Sequence, residues 1–307
     1  MAKPKKYEKT LYIRITKELK DRIEIEANKE NVDPTDLVRK ILETNKKLRV
    51  KDKQKASNKM RQILYKPGTT EPFRLTSSRI ELYQQCKKCF YLQMREGIRQ
   101  PSMFPLPYIN VTVDNLLKSE MDYFRAKQQP HPIFEEHNLN LIPYNQEELI
   151  NAWRGDMINI AGRRGLLYKE PKTNFILTAF VDDIMLNRDS KNLTVVDFRI
   201  SISDAKPKSP YHKVYDRRIE FQQWLLRKND LSVDNTGYFL YCIVDRNKKD
   251  FQNKIEFSTT LIEYEGNDFW IEPVLHDIKS ILENDRIPES SQKCEYCRYS
   301  NNLANVI

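Results

Sequence analysis

Two cysteine pairs of identical spacing lie far apart in the chain, Cys86-x-x-Cys89 and Cys294-x-x-Cys297. Each pair can supply two thiolate ligands from one turn, so together the pairs match a tetrahedral zinc ion or a [4Fe-4S] cluster. A metal that joins such distant segments removes much of the entropy of the unfolded chain and would act as a clasp. The alternative is that these residues are ordinary reduced thiols or a set of disulfides.

Acidic residues interrupt two apolar segments that lie between the cysteine pairs. The segment 175–186 contains Asp182 and is predicted to be one strand, and 193–200 contains Asp197 and is predicted to be its hairpin partner. Buried carboxylates are unfavourable unless they are paired or bind a cation. Asp182 and Asp197 are therefore candidate ligands for Mg²⁺ or Mn²⁺.

Further elements of this region follow from residue periodicity and turn residues. Ser77 and Ser78 start a helix that runs into Cys86, and a second helix is predicted over 111–126. Residues 237–244 are predicted to form a core strand, and 264–270 a hairpin around Gly266-Asn267.

The basic excess of the chain is confined to its N-terminal fifth. Residues 1–66 hold 20 Lys/Arg and 10 Asp/Glu, whereas the rest of the chain holds 32 and 33. Such a local excess predicts a polyanionic partner, most simply nucleic acid, although a solvated tail is the alternative. No apolar run is long enough to span a membrane and no signal peptide is recognisable, so the sequence predicts a cytoplasmic protein with reduced cysteines and no membrane partner.

The basic N-terminal segment has the pattern of a folded module. Residues 10–16 alternate apolar and polar side chains, as a half-buried strand does, and a helix is predicted from about 17 to 29. Asp33 is the predicted cap of a second helix that starts at Pro34. The order strand, helix, turn, helix resembles the ribbon-helix-helix DNA-binding family.

In that family two chains pair their strands into an antiparallel ribbon, and outward side chains enter the major groove. The resemblance makes Tyr12, Arg14 and Thr16 the candidate base-reading residues and places Lys9 near phosphates. It also implies a homodimer, because a single strand has no partner within its own chain. The alternative is a dimerisation element that never contacts DNA.

A second resemblance covers roughly residues 75–298 and rests on five motifs in order. They are Cys86-Lys-Lys-Cys89-Phe-Tyr-Leu, Val181-Asp182-Asp183, Val195-Val-Asp197-Phe-Arg199, the 215–226 segment Tyr-Asp-Arg-Arg-Ile-Glu-Phe-Gln-Gln-Trp-Leu-Leu, and Cys294-Glu-Tyr-Cys297. The set resembles the PD-(D/E)XK nuclease superfamily, in the branch of RecB-type nucleases and CRISPR adaptation exonucleases. The resemblance implies that Asp182 and Asp197 hold Mg²⁺ or Mn²⁺, which activates a water and stabilises the phosphate, and that Arg199 stands at the lysine position.

The chain departs from the pattern of that branch near the acids. The branch carries a Gln-x-x-x-Tyr pair at the positions of Arg218 and Gln222. Two functions therefore stay open: a metal-dependent deoxyribonuclease with Arg199 on the scissile phosphate, or an inactive DNA-binding or assembly scaffold whose Arg199, Arg217 and Arg218 contact phosphates. A ligand-sensing repressor ranks third.

These expectations combine into an α+β fold with two folded parts. A ribbon-helix-helix module is predicted over 1–45, a basic linker over 46–72, and a nuclease-like mixed sheet flanked by helices over 73–307, closed by the four-cysteine site. The predicted partners are DNA, a second copy of the chain through the N-terminal ribbon, and a larger nucleoprotein assembly.

Overall fold

The computed structural model describes residues 17–30, 32–38, 64–101, 108–155, 165–201, 212–250 and 252–306. The chain divides into two compact units, Met1–Ile63 and Leu64–Ile307. No helix within the described ranges is both long enough and apolar enough to cross a membrane.

The first unit contains the two helices that the sequence predicts. Helix α1 spans Lys17–Glu30, and the described residues 34–38 belong to a second helix, α2. The Asp33 carboxylate accepts a hydrogen bond of 2.7 Å from the backbone N–H of Thr35, which confirms the predicted cap with Pro34 at the first helical position. The strand predicted over 10–16, and with it Lys9, Tyr12, Arg14 and Thr16, lies outside the described residues.

The second unit is α+β, with two mixed sheets flanked by helices. Its helices are α3 Ser77–Gln85, α4 Lys87–Tyr91, α5 Tyr108–Lys127, α6 Pro132–Glu136, α7 Glu147–Arg154, α8 His212–Arg227, α9 Ile271–Glu283 and α10 Glu295–Ala304, with a π-helical turn at Leu92–Glu96. Its strands are β1 Phe73–Thr76, β2 Leu141–Pro143, β3 Leu166–Glu170, β4 Phe175–Ala179, β5 Asp183–Asn187, β6 Leu193–Ser201, β7 Thr236–Val244 and β8 Phe257–Glu265.

The strands form two sheets, one of three strands in the order β1-β4-β3 and one of five in the order β2-β5-β6-β7-β8. Strands β6 and β7 are parallel and are joined through α8, whereas β5 pairs antiparallel with β6 as the predicted hairpin. Residues 193–201 of β6 alternate between two cores: Val195 faces the core that includes α8 and α9, and Val196 faces the core that includes α5 and α6. Asp197 and Arg199 therefore lie on the α8 side of the sheet.

The prediction of one strand over 175–186 is wrong, because the chain changes sheets there. Strand β4 ends at Ala179 and pairs with β1 and β3, whereas β5 begins at Asp183 and pairs with β2 and β6. Between them the backbone N–H of Val181 donates to the carbonyl of Trp153 instead of a strand neighbour. Because both strands are buried, their apolar residues form one nearly continuous run in the sequence. That run gives no signal of the boundary between β4 and β5.

The hairpin predicted over 264–270 is also wrong, because β8 ends at Glu265 and the chain turns into α9. The buried carboxylate of Glu220 on α8 accepts hydrogen bonds from Tyr264 Oη at 2.7 Å, from the Asn267 backbone N–H at 3.0 Å and from Trp270 Nε1 at 2.6 Å. These bonds hold the segment against α8.

Candidate functional site

The two predicted acids lie side by side in the interior of the second unit. Asp182 immediately precedes β5 and is 8% exposed, and Asp197 on β6 is fully buried. The Asp182 Oδ2 accepts a hydrogen bond of 2.9 Å from the backbone N–H of Phe198, the residue after Asp197. The structure therefore brings together the pair that the sequence singled out, and we call it the acidic centre.

Arg218 on α8 contacts both acids. Its Nη2 donates to Asp182 Oδ1 at 2.8 Å, and its Nε lies 3.0 Å from Asp197 Oδ2. Arg218 is nonetheless about a third exposed, and it lines a surface cleft. One arginine thus occupies the space between the two carboxylates.

Arg199 supplies a second positive charge to the same centre. Its Nη2 contacts Asp197 Oδ1, its Nη1 donates to the Phe198 carbonyl at 3.1 Å, and its guanidinium carbon lies 4.1 Å from the ring centroid of Tyr215. Neither Asp197 oxygen has good hydrogen-bond geometry with a donor in the described structure, although both touch guanidinium groups. The pairing of Asp197 is therefore mainly coulombic.

Burial and the arginines set the protonation of the acids. Burial raises the pKa of Asp197 to about 6, and the charges of Arg199 and Arg218 only partly oppose this effect. Burial also acts on Asp182, but the charges of Arg218 and Arg199 outweigh it and hold its pKa below the usual value. At neutral pH two carboxylates thus face two guanidiniums, and their charges cancel.

This arrangement does not fit a divalent cation. Mg²⁺ requires a near-octahedral shell of oxygen ligands at about 2.0–2.1 Å. Three of the four carboxylate oxygens of the acidic centre already contact Arg199 or Arg218, and the fourth accepts from a backbone N–H. A metal between Asp182 and Asp197 would require Arg218 to leave.

The other residues of α8 that the resemblance singled out have separate roles. Gln222, one helical turn after Arg218, is fully buried and donates from Nε2 to the Phe180 carbonyl at 2.7 Å, while its Oε1 has no hydrogen-bond partner in the described structure. Arg217 forms a bidentate pair with Glu81 of α3, at 2.9 Å through Nε and 2.7 Å through Nη2. This pair ties α8 to α3.

A buried ion network next to the acidic centre escaped the sequence analysis. Asp183 is fully buried and is contacted by Arg125 of α5 and by Nη2 of Arg154 of α7 at 2.6 Å. Both arginines also contact Asp122, and Arg154 Nε donates to the Asp182 carbonyl at 3.0 Å. The Asp122 and Arg125 spacing on one helix face is the signal that could have revealed it.

The four cysteines converge on one site, as the sequence predicts. Their sulfurs all lie within 4.8 Å of one another, with 3.8 Å between Cys86 and Cys297, 3.6 Å between Cys89 and Cys294, and 3.4 Å between Cys89 and Cys297. No disulfide joins them. Each pair occupies the start of a helix: Cys86 precedes α4 and Cys294 precedes α10.

The cysteine site fits a single tetrahedral metal ion. Zinc–sulfur bonds of about 2.3 Å in a tetrahedron separate the sulfurs by about 3.8 Å, close to the observed distances. Burial raises the pKa of the Cys89 and Cys297 thiols, whereas at Cys86 backbone N–H groups of Cys89 and Ser291 outweigh burial and lower the pKa to about 7. Among the described residues, these four cysteines form a group that could hold a metal ion. Cys242 lies apart from them, buried in the core beside α5.

A surface cleft of about 410 Å³ adjoins the acidic centre, between the start of α3, the end of β4 and α8. Arg218, Tyr215 and Arg217 form part of its wall. Sequence reasoning did not find this cleft, because its walls come from segments that are far apart in the chain.

Comparisons with known proteins identify no relative: no protein-family model, no curated protein and no solved structure matches this chain.

Proposed function

We propose that this protein binds DNA through its N-terminal unit and does not cleave it, because its second unit is a nuclease-type fold whose acidic centre is neutralised by its own arginines. The observation that carries the proposal is Arg218, which contacts both Asp182 and Asp197. This double contact favours an inactive DNA-binding scaffold over a deoxyribonuclease. The retained acids and the order β5, β6, α8, β7 support the resemblance to the PD-(D/E)XK superfamily.

Arg199 and Arg218 make it harder for a metal ion to bind Asp182 and Asp197, because the ion must displace their contacts. A hydrogen bond to a charged group contributes about 1.5–3 kcal/mol, and a divalent ion in the acidic centre would displace at least the bond between Arg218 and Asp182. That cost alone reduces metal affinity by about 10- to 150-fold. Because hydrolysis by a metal-activated water needs a bound cation, the weaker metal binding disfavours cleavage.

The DNA-binding part of the proposal rests on the N-terminal unit. Residues 1–66 carry twice as many Lys/Arg as Asp/Glu, 20 against 10. The helix α1 and the start of α2, with the cap at Asp33, support the resemblance to a ribbon-helix-helix module. A homodimer would then present Tyr12, Arg14 and Thr16 of both chains to the major groove, with Lys9 near phosphates.

The cysteine site serves this function as a zinc clasp. A cubane cluster inserts four irons and four sulfides between its cysteines, whereas the observed sulfur separations match one zinc ion. The ion would join α4 to α10. Because Cys86 and Cys297 are 211 residues apart, it would close a long loop of the second unit.

The test combines duplex binding with cleavage. Duplex DNA should bind to the wild type with a strong salt dependence, and Arg14→Ala should weaken that binding. Neither duplex nor single-stranded DNA should be cut by the wild type in Mg²⁺ or Mn²⁺, with Asp197→Ala as the control for contaminating nuclease. Arg199→Lys restores the family residue and shows whether that position alone prevents cleavage. Cleavage by the wild type that is lost in Asp197→Ala would overturn the proposal.

A further inference from the structure

The cleft beside the acidic centre has aromatic walls. Phe180, Tyr215, Phe221 and Trp270 line it, and Phe180 is 47% exposed although it is a large apolar residue. The cleft volume of about 410 Å³ lies within the range of pockets that hold one small ligand. Such walls favour a ligand with a flat ring, because aromatic rings stack on one another.

Two arginines of the same wall each keep one nitrogen available. Arg217 uses Nε and Nη2 to bind Glu81, and Arg218 uses the same two nitrogens to contact the two acids of the acidic centre. Within the described residues, Nη1 of neither arginine donates a hydrogen bond. Both side chains are partly exposed and both line the cleft. Donors beside an aromatic wall suit a ring that carries a hydrogen-bond acceptor.

The charge balance of the cleft favours an acceptor with a single negative charge. Glu81 neutralises Arg217, and the two acids of the acidic centre neutralise Arg218 and Arg199. A dianionic phosphate would therefore add two uncompensated charges to a partly enclosed site. A carboxylate adds one, and its two oxygens match the N–H groups of guanidinium side chains. A carboxylate is the better match of the two.

The side chains of the wall are held in position by neighbouring residues. The Trp270 indole donates to the buried Glu220 at 2.6 Å, and the guanidinium carbon of Arg199 lies 4.1 Å from the ring centroid of Tyr215. The Phe180 ring lies against Gly155, where a β-carbon would approach it to 2.5 Å. These contacts preorganise the wall, which reduces the entropic cost of binding a ligand.

We propose that the cleft binds a small aromatic carboxylate, with the carboxylate on the Nη1 groups of Arg217 and Arg218 and the ring against Phe180 and Trp270. This inference goes beyond the proposed function, because DNA binding by the N-terminal unit does not need a small ligand in the second unit. The guanidinium groups orient the ligand, and the aromatic wall buries its ring.

The first test compares ligands by calorimetric titration of the full-length protein. 2-Naphthoate should bind with a Kd of about 1 mM or lower, as expected for a ligand of its size. 2-Naphthamide keeps the ring but lacks the charge, and should bind about 10- to 150-fold more weakly. Decahydronaphthalene-2-carboxylate keeps the charge but lacks the flat ring, and should bind about 2- to 13-fold more weakly.

The same titrations can overturn the inference in two ways. Equal affinity for the naphthoate and the amide, or no binding of naphthoate at millimolar concentration, would show that the cleft does not recognise an aromatic carboxylate. Thymidine 5′-monophosphate should bind more weakly than naphthoate, because of its dianionic phosphate. Tighter binding of the nucleotide would make the cleft a nucleotide site instead.

The second test locates the ligand through the indole N–H signals in nuclear magnetic resonance spectra. The chain has three tryptophans, and Trp270 is the one that lines the cleft. Naphthoate should shift the indole signal of Trp270, identified by its loss in Trp270→Phe, more than those of Trp153 and Trp224. Larger shifts at Trp153 or Trp224 would place the ligand outside the cleft and overturn the assignment.

The third test measures naphthoate affinity in variants of the wall. Phe180→Leu should weaken binding about 2- to 13-fold, the range for one aromatic contact. Phe269→Leu is the matched control and should have no effect, because Phe269 is 85% exposed next to Trp270 but does not line the cleft. Arg217→Lys keeps a positive charge beside Glu81 but removes Nη1, so it should weaken binding of the naphthoate and not of the amide. Wild-type affinity for naphthoate in either Phe180→Leu or Arg217→Lys would overturn the inference.

Discussion

Arg218 donates a hydrogen bond of 2.8 Å to Asp182, the first of the two acids that the sequence singles out as metal ligands. The same guanidinium reaches Asp197 at 3.0 Å. Buried carboxylates need a compensating cation, and here the protein supplies one from its own helix α8. The two acids therefore have their charge partners within the protein itself.

Removing one arginine from the buried network around Asp183 should strongly destabilise the protein, because it leaves a buried charge poorly compensated. Arg154→Ala leaves Asp183 with one fewer partner in a fully buried site, and we expect a loss of about 3–5 kcal/mol in the free energy of unfolding, measured in urea. Arg188→Ala, at an exposed arginine just after β5, should change it by less than about 0.5 kcal/mol. Equal effects of the two variants would show that the network adds no stability.

The cysteine site should contain zinc at one ion per chain. Cys297→Ser should abolish the bound zinc, measured by elemental analysis, and lower the free energy of unfolding by more than about 4 kcal/mol. Cys242→Ala, at a buried cysteine outside the cluster, should keep the full zinc content. Bound iron with inorganic sulfide and a visible absorption band would instead identify a cluster.

Asp197 should make the protein more stable at acidic pH, whereas an ordinary salt-bridged acid makes a protein more stable at neutral pH. Its pKa is raised to about 6 by burial, so the folded protein holds this proton more tightly than the unfolded chain does. The stabilisation is complete below the unfolded pKa of 3.8 and is lost as pH rises to about 6. Relative to Asp197→Asn, the wild type should lose stability between about pH 4 and 6 in denaturant titrations. Parallel pH profiles of the two proteins would contradict the raised pKa.

Gly155 should be required for the position of Phe180. Its φ of +79° is strained for other residues, and a β-carbon there would lie 2.5 Å from the Phe180 ring. Gly155→Ala should therefore reduce the free energy of unfolding by about 2–4 kcal/mol, the sum of backbone strain and overpacking. Gly68→Ala isolates the strain, because Gly68 has φ +69° but open space around it. A similar loss in both variants would show that the contact with Phe180 is unimportant.

Residue periodicity, capping residues and ligand spacing predicted the elements that depend on residues close together in the sequence. The helix over 17–29, the cap at Asp33 and the strand over 237–244 follow from periodicity and capping residues, and the structure has them. The cysteine cluster was predictable because the two C-x-x-C pairs have ligand spacing. The helix, the cap, the strand and each C-x-x-C pair depend on residues that are close together in the sequence, whereas the two pairs meet only in the folded structure.

The features that sequence reasoning missed depend on tertiary contacts. Nothing near Asp182 in the sequence shows that Arg218 reaches it, because the two are 36 positions apart. The break between β4 and β5 and the turn held by Glu220 likewise arise from contacts between distant segments. The departures at Arg218 and Gln222 indicated an altered centre, but only the fold shows that Arg218 lies between the acids.

The most direct test of the account is Mn²⁺ binding by the wild type and Arg218→Gln, measured by electron paramagnetic resonance of the free ion. Arg218→Gln removes the internal cation, so it should bind Mn²⁺ at least about tenfold more tightly than the wild type. Adding Asp197→Asn should abolish that gain. Arg217→Gln is the matched control, because the neighbouring arginine pairs with Glu81 and should leave Mn²⁺ binding unchanged. Equal Mn²⁺ affinity in the wild type and Arg218→Gln would contradict the neutralised acidic centre.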